Sequence, residues 1–317
     1  MKLSAGRTYS SRPTRATASE DPPLESMSSP GGALRAVVAG VDLTAMGRRV
    51  AERAGMMAEA SGVPLHLLHV LEPVGEAMIE PSLARLMREY QTTEASKLAE
   101  WARGKTGVEV DLEVVKGSPS WELTARGKSA DLVVVGSSSI NAFSVGPVAK
   151  RVARKTTTDT LLVRRQPRVP YRKVIAAVDF SEHSRVAVNR ALALFPDADT
   201  TALYSMPSRF DTMLASAGLF SEELEASRGT RLRMAQERME DFTAQWDGDI
   251  RTLVVDGPPT ETIEEVVRRR GADLVIVASR GASATRMVLL GTVAEGLVTE
   301  APCDVLVART KAPFRRP

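Results

Sequence analysis

Between residues 34 and 309, short apolar runs alternate with segments of helical period. VIAAV at 174–178 and LVIVA at 274–278 are almost unbroken and rich in branched side chains. Such runs suit parallel strands covered on both faces. Between the runs, Val50, Ala54, Met57 and Ala58 recur on one helical face, as do Ala187, Ala191 and Leu194. Segments 80–106 and 221–246 read as longer amphipathic helices. Ser181 is placed to cap the helix expected over 183–195, and Ser118 followed by Pro119 opens another.

The pattern occurs twice. AVVAGVDLT at 36–44 matches KVIAAVDFS at 173–181, and VEVDLEVVKGSPS at 108–120 matches IRTLVVDGPPT at 250–260. SADLVVVGSS at 129–138 matches GADLVIVASR at 271–280, and the stretch opening at Gly146 matches the one opening at Gly291. The order is the same in both halves, so the chain carries two copies of one domain. Each copy predicts β-α-β-α-β-α-β-α-β. That is an α/β, Rossmann-like open sheet of five parallel strands with helices on both faces. The expected division is a tail at 1–33, a first copy at 34–163, a basic linker at 164–173, a second copy at 174–309 and a basic end at 310–317. The last strands, Thr160–Val163 and Val305–Val307, should lie at sheet edges, and an apolar edge needs a partner. The two halves are therefore expected to pair with each other through these strands, giving pseudo-twofold symmetry; a pair of chains forming a homodimer is a further expectation.

Composition narrows the function classes. The 317 residues, 43% of them apolar, can build two ordinary cores. No apolar run approaches a membrane span. One cysteine and three histidines exclude a disulfide framework or a multi-cysteine metal site. The net charge of +3 is unevenly spread. Residues 164–173 hold Arg164, Arg165, Arg168, Arg172 and Lys173 without an acid, whereas the second copy is acidic. A DNA-binding surface spread over the folds is not expected. The first 33 residues have the composition of a disordered tail. They lack the apolar stretch of a secretory signal, and are too poor in apolar residues for an amphipathic transit helix. Translation starting at Met27 is an alternative beginning. With no address recognised, the expected compartment is the cytoplasm.

Ligands of such sheets sit beyond the carboxyl ends of the strands, near the switch point between strands 1 and 4. In the second copy strand 1 ends in Val178-Asp179-Phe180-Ser181, strand 4 in Ala278-Ser279-Arg280-Gly281, and Gly291-Thr292-Val293 opens the last helix. Glycine admits phosphate close to backbone amides, and a helix N-terminus offers unpaired N–H groups. Asp179 could accept from a ribose hydroxyl or an adenine amine, and Arg280 and Arg286 could add charge. The first copy reads Gly136-x2-Ser139-x6-Gly146-Pro147, with a shorter loop. Pro147 removes an N–H where phosphates would lie while remaining a good helix start, so this copy is expected to be a degenerate site. His66 and His69, three apart on a strand, should face opposite ways and not share a metal. Asp179, Ser181 and His183 are too close in sequence to form a hydrolytic triad. Cys303 reads as buried and inert. No Walker lysine is present, and neither a catalytic nor a metal-binding residue is assigned.

On these residues the stretch 34–309 resembles a tandem universal stress protein. Nucleotide-binding members of that family carry G-x2-G-x9-G-[S/T] after strand 4 and an Asp in a V-D-x-S turn after strand 1. Here the second copy reads Ala278-x2-Gly281-x9-Gly291-Thr292: the spacing is kept, and the first glycine is alanine. The resemblance implies that Asp179, Val277, Ala278, Gly281, Gly291, Thr292 and Val293 contact a nucleotide, with Met206 beside the adenine. The implied cofactor is ATP or AMP, with Mg accompanying ATP. The implied role is a stress-response protein that binds the nucleotide, hydrolyses it slowly at most, and signals through conformation or an unknown protein partner. The alternative is a nucleotide-independent scaffold in which both domains are structural.

Overall fold

The computed structural model describes residues 34–72, 80–137, 146–206, 221–247, 249–279 and 290–309, with backbone only over 221–227. The readings made for the N-terminal tail, Gly281, Arg280, Arg286 and the basic end lie outside the described residues. The first half contains β1 (Val37–Gly40), α1 (Ala45–Ser61), β2 (Leu65–Leu71), α2 (Pro81–Lys105), β3 (Val110–Lys116), α3 (Pro119–Arg126), β4 (Leu132–Gly136), α4 (Pro147–Lys155) and β5 (Asp159–Val163). The second contains β6 (Lys173–Val178), α5 (Glu182–Leu194), β7 (Asp199–Met206), α6 (Ser221–Thr243), β8 (Ile250–Asp256), α7 (Pro259–Arg270), β9 (Leu274–Ala278), α8 (Thr292–Glu300) and β10 (Asp304–Ala308).

The strand order is β3-β2-β1-β4-β5-β10-β9-β6-β7-β8. Each half is parallel throughout, and the order of the second mirrors that of the first. One pairing is antiparallel: β5 against β10, with Val305 opposite Leu162 and Val307 opposite Thr160. The two expected five-stranded sheets are therefore one continuous ten-stranded sheet. Both edge strands are wholly buried, and each satisfies the backbone groups that the other would leave unpaired.

Side chains alternate across this sheet. Val37, Ala39, Val134, Val174 and Ile276 pack with α1, α2, α5 and α6 on one face. Val38, Val133, Val135, Val275 and Val277 pack with α3, α4, α7 and α8 on the other. That is the period of two expected for strands buried on both sides. The predicted helical faces are buried at Val50, Ala54, Met57, Ala58, Ala187 and Ala191; Leu194 is only half-buried, and Phe195 fills the core in its place. Ser181 caps α5 by accepting from Ser184 N at 3.1 Å. Ser118 occupies the cap position of α3 without a side-chain cap bond.

A polar network with the same twofold relation locks the halves together. Buried Asp304 accepts from Arg164 N at 2.8 Å, and buried Asp159 accepts from Arg309 N at 2.7 Å. Arg164 donates to Val298 O at 2.5 Å, closing the end of α8, and Arg309 donates to Ala153 O at the end of α4. Arg53 Nε lies 3.7 Å from Asp304, and Arg190 Nε 2.5 Å from Asp159. Arg154 and Glu295 pair directly between α4 and α8. Among the described residues, only the first of these arrangements has a phenol: Tyr171 donates to Asp304 Oδ2 at 2.6 Å beneath the Arg53 guanidinium, 3.9 Å from its ring centre. Two arginines of the basic linker, Arg164 and Arg165, thus hold the halves together through backbone and side chain.

Candidate functional site

In the second half, β6 delivers Asp179 to the carboxyl edge of the sheet. Asp179 Oδ1 accepts from Ser181 N at 3.1 Å and from Ser181 Oγ at 2.5 Å. The residue between them, Phe180, has φ 63°, the sole positive φ outside glycine among the described residues. A bulky residue there is strained and needs support. Tyr204 lies 4.3 Å from the Phe180 ring, Phe242 5.7 Å, and the Arg238 guanidinium 4.7 Å. Burial pushes the Tyr204 phenol pKa up, with Arg238 opposing the shift.

Next to β6, β9 ends at buried Ala278. Ser279 follows; its N–H donates to Ala308 O at 2.9 Å and its carbonyl accepts from Gly291 N at 2.9 Å. That second bond returns the chain to the point where β9 left off, at the start of α8. Gly291 is the N-cap and provides no side-chain cap bond, so the first turn of α8 keeps its own amides. Thr292 there is exposed and Val293 half-buried. Met206 ends β7, buried, with its carbonyl accepting from Gly257 N at 2.9 Å. Asp179, Met206, Val277, Ala278, Gly291, Thr292 and Val293 therefore lie on strand ends and a helix start along one edge. Gly281 lies outside the described residues.

The first half builds the same edge from different side chains. Asp42 Oδ1 accepts three bonds, from Thr44 N at 3.1 Å, Thr44 Oγ1 at 2.6 Å and Gly47 N at 2.9 Å. A Cβ at position 47 would sit 1.9 Å from Asp42 O, so only glycine permits this close turn. Gly136, where the second half has Ala278, is constrained by a side chain instead: a Cβ there would meet Met46 Cγ at 2.4 Å. α4 opens with Gly146 and Pro147.

Behind this edge lies a cavity of about 200 Å³ whose lining includes Asp42, His69, Glu72, Leu123, Gly136 and Pro147. Sequence reasoning missed it. His69 is 7% exposed, and its Nδ1 lies 2.9 Å from Val41 O. His66 lies instead near the surface, 3.3 Å from Asp111, so the two histidines diverge as expected. The signal available in sequence was register: Leu65 pairs with Val37 as Thr200 pairs with Val174, which sets His69 where the second half has Tyr204.

The alternatives set aside resolve into structural roles. Ser181 Oγ serves Asp179 and the α5 cap. His183 lies within α5. Cys303 is fully buried, and burial with the neighbouring Asp304 pushes its thiol up to about 12. Among the described residues, no three His, Cys, Asp or Glu side chains group as metal ligands. No described helix is long and apolar enough to cross a membrane.

The model of the Universal stress protein family matches residues 33–164 and again 170–309. The chain belongs to this family. A universal stress protein of Methanocaldococcus jannaschii, MJ0531, is 29% identical over 149 residues, 44% of this chain and 82% of that protein. A second from the same organism, MJ0577, is 27% identical over 158 residues, 45% of this chain and 98% of that protein. Each of these universal stress proteins thus matches about one copy's length. A solved universal stress protein of Archaeoglobus fulgidus overlays 86% of this chain and 98% of its own, with a TM-score of 0.63 and 16% identity, a likeness of fold.

Proposed function

We propose that the second half binds an adenine nucleotide, ATP or AMP, and that the protein acts in the stress response by passing on the bound state rather than by turnover. The observation that carries this reading is the start of α8. Gly291-Thr292 presents an N-terminus without a side-chain cap at the carboxyl edge of β6 and β9, at the motif spacing of nucleotide-binding relatives. Helix-start amides and the Thr292 hydroxyl suit phosphate oxygens. Asp179 would take a ribose hydroxyl, and Met206, Val277 and Ala278 would border the base. Ala278 adds a methyl group where the motif has glycine, which limits how closely the ligand approaches the β9 backbone.

Ligand-biased packing of the loop at 279–290 would then alter the surface offered to an unidentified protein partner. With ATP, Mg would accompany the phosphates. The proposal assigns no catalytic residue, so hydrolysis is slow at most. It places the protein in the cytoplasm and allows two chains to associate as a homodimer. The test is thermal unfolding with ATP, ADP and AMP, for wild type and Gly281→Asp. Ligand at a hundredfold excess over its Kd should stabilise the wild type by about 2.7 kcal/mol, and the variant far less. Equal behaviour of the two, or no stabilisation, would favour the nucleotide-independent scaffold.

A further inference from the structure

The cavity of the first half is not simply a damaged phosphate site. Its lining among the described residues contains two carboxylates, Asp42 and Glu72, and no lysine or arginine. Pro147, at the first position of α4, has no N–H to offer. An anion entering here would meet negative charge and one helix-start donor fewer.

His69 supplies what the cavity offers instead. Its Nδ1 faces the Val41 carbonyl, which can only accept, so Nδ1 carries a proton. In the tautomer this contact selects, Nε2 is the acceptor. That nitrogen is buried and has no hydrogen-bond partner among the described residues. A buried acceptor left unmatched is costly, and a ligand donor would recover that cost. Val50, Leu123 and Val135 furnish apolar walls. The volume of about 200 Å³ exceeds the roughly 150 Å³ cavity that accommodates benzene.

We propose that the first half binds an uncharged heterocycle of nucleobase size, without phosphate, that donates an N–H to His69 Nε2. The same fold would then read two chemistries in one chain: a phosphorylated ligand at the second half and a phosphate-free one at the first. This site does not depend on the nucleotide reading of the second half.

The test follows the ¹⁵N signals of the histidine side chains in the full-length protein, with the His69→Phe variant assigning His69. Adenine is the probe, and AMP the charged control. The Nε2 signal should move saturably with adenine, and AMP should need at least about tenfold more to produce the same shift, equivalent to about 1.4 kcal/mol. Thr292→Pro, which weakens phosphate binding at the proposed site of the second half, should leave this response intact, separating the two proposals. Calorimetry with adenine should show one binding event fewer in His69→Phe than in the wild type. An unmoved Nε2 signal, AMP acting as readily as adenine, or undiminished binding in a folded His69→Phe variant would each overturn the proposal.

Discussion

The two halves agree where they touch each other and differ where they meet solvent at the strand ends. At the junction, Arg53, Asp304 and Arg164 are matched by Arg190, Asp159 and Arg309, down to the backbone amide that each aspartate accepts. At the carboxyl edge the correspondence fails residue by residue. Thr292 is answered by Pro147, Ala278 by Gly136, Tyr204 by His69, and the strained Phe180 by Leu43, which has no positive φ. The difference teaches that pairing constrains both copies alike, because an error in either leaves a buried charge unmatched. A site needs only one of them, so the other copy can take up other chemistry.

The largest expected effect breaks the symmetric part. Asp304→Ala would leave the Tyr171 hydroxyl and two amides without their acceptor and the buried Arg53 guanidinium without its nearby opposite charge, and should lower stability by about 3–5 kcal/mol. Asp159→Ala should cost less, because no phenol among the described residues joins that side. Urea unfolding measures both; losses within about 0.5 kcal/mol, as for ordinary surface positions, would show that the network contributes little.

The next concerns the asymmetric edge. Thr292→Pro copies Pro147 into the second half, at a first helical position that tolerates proline. It should spare the fold and weaken ATP or AMP by roughly tenfold or more, since bonds to charged groups contribute about 1.5–3 kcal/mol each. Calorimetry reads the change.

Tyr171 tests the asymmetry within the junction. Burial and Asp304 hold its phenol well above the ordinary value of 10.0. A raised folded pKa gives stability that is complete below the unfolded value and is lost as pH rises towards the folded one. Cys303, raised from 9.0 to about 12, acts in the same direction. Unfolding free energy should therefore decline from about pH 9 upward. Tyr171→Phe should cost about 1 kcal/mol near neutrality and flatten the part of that decline above pH 10. Denaturant midpoints against pH, in wild type and variant, check both.

The smallest effect is at Ala278. Ala278→Gly restores the motif glycine at a strand cost of about 0.5–1 kcal/mol and should tighten nucleotide binding modestly. Its mirror, Gly136→Ala, should drive Met46 from its seat, because the added methyl would lie 2.4 Å from Met46 Cγ.

Much of the fold was legible because it depends on local pattern. Continuous branched runs marked the doubly covered strands, and the repeat placed β5 and β10 at edges that could satisfy each other. Ser181 could be read as a cap because its hydroxyl serves the helix just beyond it. The junction network was not legible: Arg53 and Asp304 are far apart in sequence, and the arginines at 164–173 read only as a basic linker. In the candidate site, Asp179, Gly291 and Thr292 could be named from spacing. His69 could not, because its significance lies in an unmatched nitrogen and a cavity, and both require coordinates. The absence of an N–H at Pro147 was visible from sequence, but the carboxylates gathered around that cavity were not.

The central claim, one nucleotide site per chain, is tested most directly by titrating AMP and ATP calorimetrically into the full-length protein and its Thr292→Pro variant. The account predicts a single site per chain in the wild type, weakened about tenfold or more in the variant. Two equivalent sites, or binding unchanged by Thr292→Pro, would contradict it.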